Sequence, residues 1–252
     1  MQSFSIITCT WNSEPFLQQC IESVQSQTYP ALEQLFVDGG SDDGTLQRIQ
    51  ALCAADGRAR CVTDVRGGIS RAMNAGAEQA LGDVIAHLHG DDYYLRPDVL
   101  QQVADALAGS GARWAFGRIV SDIDGQQIAP AWRMQRYSRS RLLRGNFIAH
   151  PAVFMQKALF MQLGGFDLRL RFAMDYDLWL RASAVAEPLY IDLPVAAFRR
   201  HPGSASTAQA DAAFLEDHAV RRRHLPQAGL RRLFHEAVHV WRRRQRGLPW
   251  RG

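Results

Sequence analysis

The stretch Val84-Ile85-Ala86-His87-Leu88-His89-Gly90-Asp91-Asp92 decides how this chain is read. A largely apolar run ends there in two adjacent carboxylates. The pattern predicts a buried strand of an α/β sheet that delivers acidic groups to its carboxyl end, where open α/β sheets bind ligands. Neighbouring aspartates repel each other unless a positive charge lies between them or one takes up a proton. A divalent cation, itself bound to phosphate oxygens, meets that need with hard oxygen ligands. The competing reading is a helix-capping pair in the turn before Pro97, and the stretch alone does not separate the two.

Toward the amino terminus the pattern repeats. Phe4-Ser5-Ile6-Ile7-Thr8-Cys9 reads as a strand closed by Thr10-Trp11-Asn12-Ser13, with Ser13 expected to cap the helix that follows and Pro15 in its first turn. Leu17, Cys20, Ile21 and Val24 recur at helical spacing as its inner face. Gln34-Leu35-Phe36-Val37 is a second strand, running into Asp38-Gly39-Gly40-Ser41-Asp42-Asp43-Gly44-Thr45, where Asp42 and Asp43 are assigned to the turn and the next helix cap. A third strand near Arg60-Cys61-Val62 leads into the glycine-rich helix entry Arg66-Gly67-Gly68-Ile69-Ser70-Arg71-Ala72-Met73-Asn74-Ala75-Gly76. Such an entry offers backbone N–H groups to a phosphate, with Arg66 or Arg71 adding charge. It also suits a helix of small residues packed tightly on a sheet. Strand alternating with helix predicts a parallel, doubly wound sheet.

After a helix over 97–108 the character changes. Trp114 to Val120 alternates, and Asp124-Gly125 signals a hairpin. Five arginines between Arg133 and Arg144 mark a mobile or anion-facing segment. Ala149 to Met155 reads as a strand, and Leu159 to Asp167 as a short helix ended by glycine. In Phe172-Ala173-Met174-Asp175-Tyr176-Asp177-Leu178-Trp179-Leu180-Arg181, Asp175 falls in the first turn of a helix. The helix dipole explains a carboxylate there, and so does a catalytic base facing a cleft. Either Asp175 or Asp177 could cap, leaving the other for different work. Two β-like runs follow Pro188. His201, before Pro202, lies in a loop, where a single histidine is usually solvated.

The chain has 252 residues, 47% of them hydrophobic, enough for one large domain or one domain with an elaboration. That apolar share excludes disorder over most of it. No run approaches the roughly 18–20 apolar residues of a membrane span. The start lacks a signal-peptide layout, and Cys9, Cys20, Cys53 and Cys61 have no metal-ligand spacing, so a reduced, cytoplasmic protein is expected. Charge is uneven. From Arg221 onward ten arginines face one acid, Glu236, a net of +9 that leaves residues 1–220 at −5 within a total of +4. Leu230, Leu233, Phe234, Ala237, Val238 and Trp241 lie at helical spacing among these arginines. The expectation is a terminal helix that docks its apolar stripe on the domain, while Arg242 to Arg251 faces an anionic membrane surface. Nucleic acid is disfavoured as a partner by the acidic body.

Taken in order, the motifs resemble the family 2 glycosyltransferases of the GT-A fold. The series is Ser5 to Asn12, Val37 to Thr45, Gly68 to Gly76, Gly90-Asp91-Asp92, His150-Pro151-Ala152-Val153-Phe154, Leu163 to Asp167, and Asp175 to Arg181. The resemblance implies an open, mostly parallel Rossmann-like sheet flanked by helices, with a smaller antiparallel acceptor part. Residues 1–206 would form the catalytic domain (1–110 the nucleotide-binding half, 111–206 the acceptor half), and 207–252 a basic helical extension. It implies a nucleotide-sugar donor, a divalent metal (Mn or Mg), inversion at the anomeric carbon, and a glycan or lipid-linked acceptor in surface polysaccharide synthesis. Carried over by position, Trp11 would pack against the nucleotide base between Thr10 and Asn12, and Asp38 would accept a hydrogen bond from the base. Gly68, Arg71 and Asn74 would form a second nucleotide segment. Asp92 would hold the metal directly, Asp91 would act on ribose or through water, and Asp175 would be the general base. His150, Asp177, Arg181 and His201 are further candidates for acceptor or phosphate contacts. Met174 stands where the family commonly has Glu, and Arg71 where close relatives often carry an acid.

The chemistry matches those roles: an attacking hydroxyl needs a base, and a departing diphosphate needs its charge neutralised. Two other functions compete. A sugar-phosphate nucleotidylyltransferase would want a glycine-rich loop with cations after the first strand, and Thr10-Trp11-Asn12-Ser13 has neither. A non-catalytic nucleotide- or membrane-binding module would have no use for a base.

Overall fold

The computed structural model describes residues 1–129, 137–201 and 209–245. In chain order, β1 (Phe4–Thr10), α1 (Glu14–Gln25), β2 (Leu32–Asp38), α2 (Thr45–Ala55), β3 (Ala59–Val62), α3 (Ile69–Gln79) and β4 (Val84–His87) form the first half. Their strands lie in the order β3-β2-β1-β4, and every ladder among them is parallel. β1 is buried along its whole length, as a central parallel strand covered on both faces must be. Phe4 and Ile6 point into one core with Leu100 and Phe154, while Ile7 and Cys9 point into the other with Phe116 and Trp179. α3 lies close on the sheet: a Cβ on Gly76 would fall 2.5 Å from the Ile7 Cγ2. The glycine and small residues of that helix therefore have a packing reason of their own.

The second half continues the same sheet with β5 (Tyr93–Tyr94), α4 (Val99–Ala108), β6 (Trp114–Ile123), β7 (Gln126–Ile128) and α5 (Arg139–Leu142). After a 3₁₀ turn at His150–Ala152 come β8 (Val153–Gln156), α6 (Lys157–Gln162), α7 (Met174–Val185) and β9 (Leu189–Arg200). β8 pairs antiparallel with β4 and carries the order on through β6, β9 and β5, so one sheet joins both halves. The pairing here is mixed, because β6 and β9 run parallel. The expected hairpin is present between β6 and β7, with Asp124 at φ 52° and Gly125 at φ 81°, the positive pair that a two-residue turn needs. The expected strand at Ala149 to Met155 begins only at Val153, and the two runs after Pro188 are one bulged strand. Part of the arginine-rich segment, residues 130–136, lies outside the described residues.

Two helices close the chain, α8 (Ala210–Arg223) and α9 (Leu230–Gln245). The expected docking of the α9 apolar stripe is not what occurs. Leu230, Leu233, Phe234 and Trp241 are all exposed, whereas His235 and His239 are buried. No helix among the described residues is long and apolar enough to cross a membrane.

Candidate active site

The carboxyl ends of β1, β2 and β4 come together because their registers align. Thr10 pairs with Asp38, and beyond β4 the Leu88 N–H still donates to the Ile7 carbonyl at 3.0 Å. Gly90 then passes close to Thr10 and Ser13, a contact that a Cβ would tighten to about 3.1 Å. The acidic pair thus emerges beside the Thr10-to-Ser13 loop.

That loop and the turn after β2 are one hydrogen-bonded unit. Asp38 is fully buried; its Oδ1 accepts the Gly40 and Ser41 N–H groups at 2.9 and 2.8 Å. Its Oδ2 accepts the Thr10 and Ser41 hydroxyls at 2.9 and 2.6 Å. Burial works against the charge, but the bonds from Ser41, Thr10 and Gly40 outweigh it and hold the pKa below the usual value. Four donors largely occupy the carboxylate's acceptor capacity, so Asp38 builds the loop on which Trp11 stands. Asn12, at φ 51°, spans the same gap, donating its N–H to the Ser41 Oγ and accepting the Asp42 N–H at its own Oδ1. Asp43 rather than Ser13 caps both helices, accepting the Glu14 N–H at 3.1 Å and the Thr45 N–H at 3.0 Å. Trp11 is held above Gly39 with 72% of its surface exposed, an aromatic face open to a planar ligand.

Gly68 and Arg71 are exposed at the entry to α3. Asn74 is not. Its Nδ2 donates to the Phe166 carbonyl at 2.9 Å and its Oδ1 accepts the Phe166 N–H at 2.8 Å, which ties α3 to the turn after α6.

The two members of the acidic pair face different ways. Asp92 is buried and its Oδ1 accepts the Arg199 N–H from β9 at 3.0 Å. Burial and the neighbouring Asp91 push its pKa well up, against the pull of Arg199. The Asp91 side chain is 31% exposed and its Oδ2 lies 3.1 Å from the His201 Nε2. The His201 ring rests on Phe16 of α1 at 4.6 Å between centroids. Among the described residues, no group of three or more His, Cys, Asp or Glu is gathered to hold a metal by itself.

Beneath the pair lies a neutral floor. The His89 and His150 rings stack at 5.1 Å, and His87 lies 5.5 Å from His150. Burial pushes His87 down to about 3 and holds His89 and His150 low as well. Uncharged imidazoles offer the carboxylates above them no compensating cation. The His89 Nδ1, His150 Nε2 and Trp179 Nε1 are buried without a hydrogen-bond partner. The cavity among His87, His150, Phe166 and Trp179 is small.

Asp175 opens α7. Its Oδ1 accepts the Tyr176 N–H at 2.6 Å, and its Oδ2 accepts from the Asn146 Nδ2 at 3.3 Å. Burial raises its pKa to about 7, with Asp217 adding to the effect and the two hydrogen bonds opposing it. Four residues of chain separate Asn146 from His150, at most roughly 14 Å, so Asp175 and the floor beneath Asp91 belong to one region. Neither Asp175 nor Asp177 caps the backbone that enters α7. That is done by Glu216 of α8, whose carboxylate accepts the N–H groups of Arg171, Phe172 and Ala173 at 2.6–3.1 Å. No local sequence signal announces a cap from 43 residues downstream. Asn146 and Asp217 went unnoticed for the same reason.

Asp177 and Arg181 form a strut. Arg181 donates to Asp177 Oδ2 at 2.7 Å and to the Leu163 and Gly165 carbonyls at 2.7 and 2.8 Å. His224 approaches Asp177 at 3.4 Å from the other side. Burial opposes the Asp177 charge, but His224 and Arg181 keep its pKa low. Both expected contact residues are engaged with groups of the protein itself.

Comparison with known proteins agrees with this fold. The family model described as glycosyl transferase family 2 matches residues 5–164, and the chain belongs to that family. It is 32% identical over 193 residues to an uncharacterised glycosyltransferase of Mycobacterium tuberculosis, covering 74% of this chain and 71% of that one. It is 29% identical over 207 residues to a PGL/p-HBAD biosynthesis glycosyltransferase of Mycobacterium bovis, covering 81% and 79%. The hyaluronan synthase of Pasteurella multocida is 30% identical over 186 residues, 73% of this chain but 19% of the synthase. Among solved structures, S. aureus TarS in complex with UDP-GlcNAc superposes with a TM-score of 0.73 at 18% identity, over 95% of this chain and 71% of that one. The mannosyltransferase PcManGT of Pyrobaculum calidifontis, in complex with GDP-Man and Mn2+, gives 0.70 at 17%, over 96% and 69%. The protein is therefore a family 2 glycosyltransferase with a GT-A fold.

Proposed function

We propose that this enzyme moves a sugar from a nucleoside-diphosphate sugar to a hydroxyl of a glycan or lipid-linked acceptor in surface polysaccharide or glycolipid synthesis, with inversion. The observation that carries the mechanism is a carboxylate poised near neutrality, Asp175, held by Asn146 on the stretch of chain that leads to His150, whose ring stacks on His89 two residues before Asp91. A base with a pKa of about 7 takes a proton at working pH more effectively than an ordinary aspartate. In this reading Asp175 accepts the proton of the acceptor hydroxyl as its oxygen attacks the anomeric carbon. Asn146 and the Tyr176 N–H orient the carboxylate.

Trp11 would stack on the base, and Thr10, Asn12 and Asp38 would hold its loop in shape. Gly68 and Arg71 would meet the diphosphate side. The donor set for a divalent cation fits: an accessible Asp91 oxygen beside the His201 imidazole, with phosphate oxygens completing the shell. Asp92, engaged with the Arg199 N–H, is better suited to fixing the loop than to holding the ion, so the direct contact passes to Asp91. A cation bound there would neutralise charge on the leaving diphosphate. Donor complexes of the structural relatives, UDP-GlcNAc and GDP-Man with Mn2+, support a nucleotide sugar and a metal without choosing between bases.

The test is release of nucleoside diphosphate from a panel of nucleotide sugars with manganese and an acceptor. Asp175→Asn should lower turnover by about 10²–10⁴-fold. It should retain metal-dependent thermal stabilisation by the nucleoside diphosphate. Undiminished turnover in that variant removes the base. Binding of nucleotide with no turnover by the unaltered enzyme, whatever the donor, would favour a non-catalytic module.

A further inference from the structure

The terminal helix α9 is built inside out. Its buried side is polar: the His239 ring stacks on His218 at 3.5 Å and on Phe214 at 5.1 Å. Glu236 pairs with His218, Arg232 and Arg222 at 3.1–3.3 Å. Leu230, Leu233, Phe234 and Trp241 are between 53% and 86% exposed, and Ala237 is exposed with them. At 3.6 residues per turn these five positions fall within an arc of roughly 100°, opposite His235 and His239. A helix stripe of this kind is normally turned inward, and here the inward place is already taken by histidine, glutamate and arginine.

Two features say what covers the stripe. Arg242, Arg243 and Arg244 follow Trp241 directly, within a tail whose net charge is +9 on a body of −5. Arg244 is exposed within the same arc, at the carboxyl end of the stripe. A second copy laid across the same face would bring these like charges together, whereas an anionic lipid surface attracts them. Leucine, phenylalanine and tryptophan bounded by arginine is the composition of helices that lie in a bilayer interface.

We infer that α9 is an interfacial helix, docked on α8 through its histidine face and seated by its apolar stripe in a membrane of anionic lipid. The placement has a bearing on the acceptor side. The Arg242 Nη1 donates to the Arg144 carbonyl at 2.6 Å, two residues before the Asn146 that holds Asp175. The inward side of α9 is thus close along the chain to the candidate base.

The experiment is vesicle flotation with the full chain, comparing phosphatidylcholine vesicles with phosphatidylcholine containing phosphatidylglycerol, at low and high salt. The protein should float with the anionic vesicles and be released as salt rises. The triple variant Leu233→Ser, Phe234→Ser, Trp241→Ser should lose about tenfold or more of that binding. Arg244→Glu, which leaves the stripe intact, should weaken it by less. Because these side chains point outward, the thermal midpoint and vesicle-free release of nucleoside diphosphate should be unchanged, which separates this inference from the catalytic reading. Equal binding to both vesicle types, no binding to either, or undiminished binding by the triple variant overturns it. So does light scattering that finds a dimer dispersed by the triple variant, since the occupant would then be a second copy.

Discussion

The turn after β2 and the first turn of α7 pose the same problem, a carboxylate beside backbone N–H groups that need acceptors, and they solve it differently. Asp38 accepts from residues two and three positions ahead and from Thr10 on the adjoining strand, and is held ionised. At α7 the backbone is served by Glu216 from another helix, and Asp175 keeps only two bonds and a pKa near 7. One acid is consumed by the architecture. The other is relieved of that duty by a distant residue and keeps a pKa of about 7.

The largest stability loss should come from Asp38→Ala. It orphans two backbone N–H groups and two hydroxyls in a buried turn, and should lower unfolding free energy by about 3 kcal/mol or more. Urea unfolding measures it, and a loss below about 1 kcal/mol would mean that water replaces the carboxylate. Glu216→Ala should cost less, about 1–3 kcal/mol, because part of the freed backbone is accessible. It should also lower turnover more than donor affinity, since it loosens the helix start that carries Asp175. A parallel loss in both would make Glu216 a general support.

A further effect concerns pH. The folded pKa of Asp175, about 7, lies above its unfolded value, so the native state holds more protons between about pH 4 and 7. Stability should therefore fall as pH rises through that window, while turnover that needs the ionised form rises. Asp175→Asn should then be more stable than the unaltered protein at pH 8, by up to about 4 kcal/mol, and the two should converge near pH 4. Thermal melts across pH decide it; identical curves would mean that Asp175 has an ordinary pKa.

Legibility follows the range of the interactions. The parallel half, the hairpin at Asp124-Gly125 and the helix carrying Asp175 could be read because apolar period and turn chemistry act over a few neighbours. The ties of Asn74 and Arg181 to the Gly165-Phe166 turn could not be read, because a polar residue in a motif does not disclose whether a backbone group elsewhere has claimed it. The α9 stripe had the right period and the wrong assigned direction.

By itself the sequence determined which elements form and which acidic residues reach the sheet's open end, since strand and helix periods and short-range hydrogen bonds are written in adjacent residues. Only the tertiary structure decided that Asp92 turns inward while Asp91 meets His201, that Glu216 frees Asp175, and that α9 shows its apolar side outward. Each of those outcomes depends on which group, far along the chain, arrives first to fill a finite number of hydrogen-bond and packing positions.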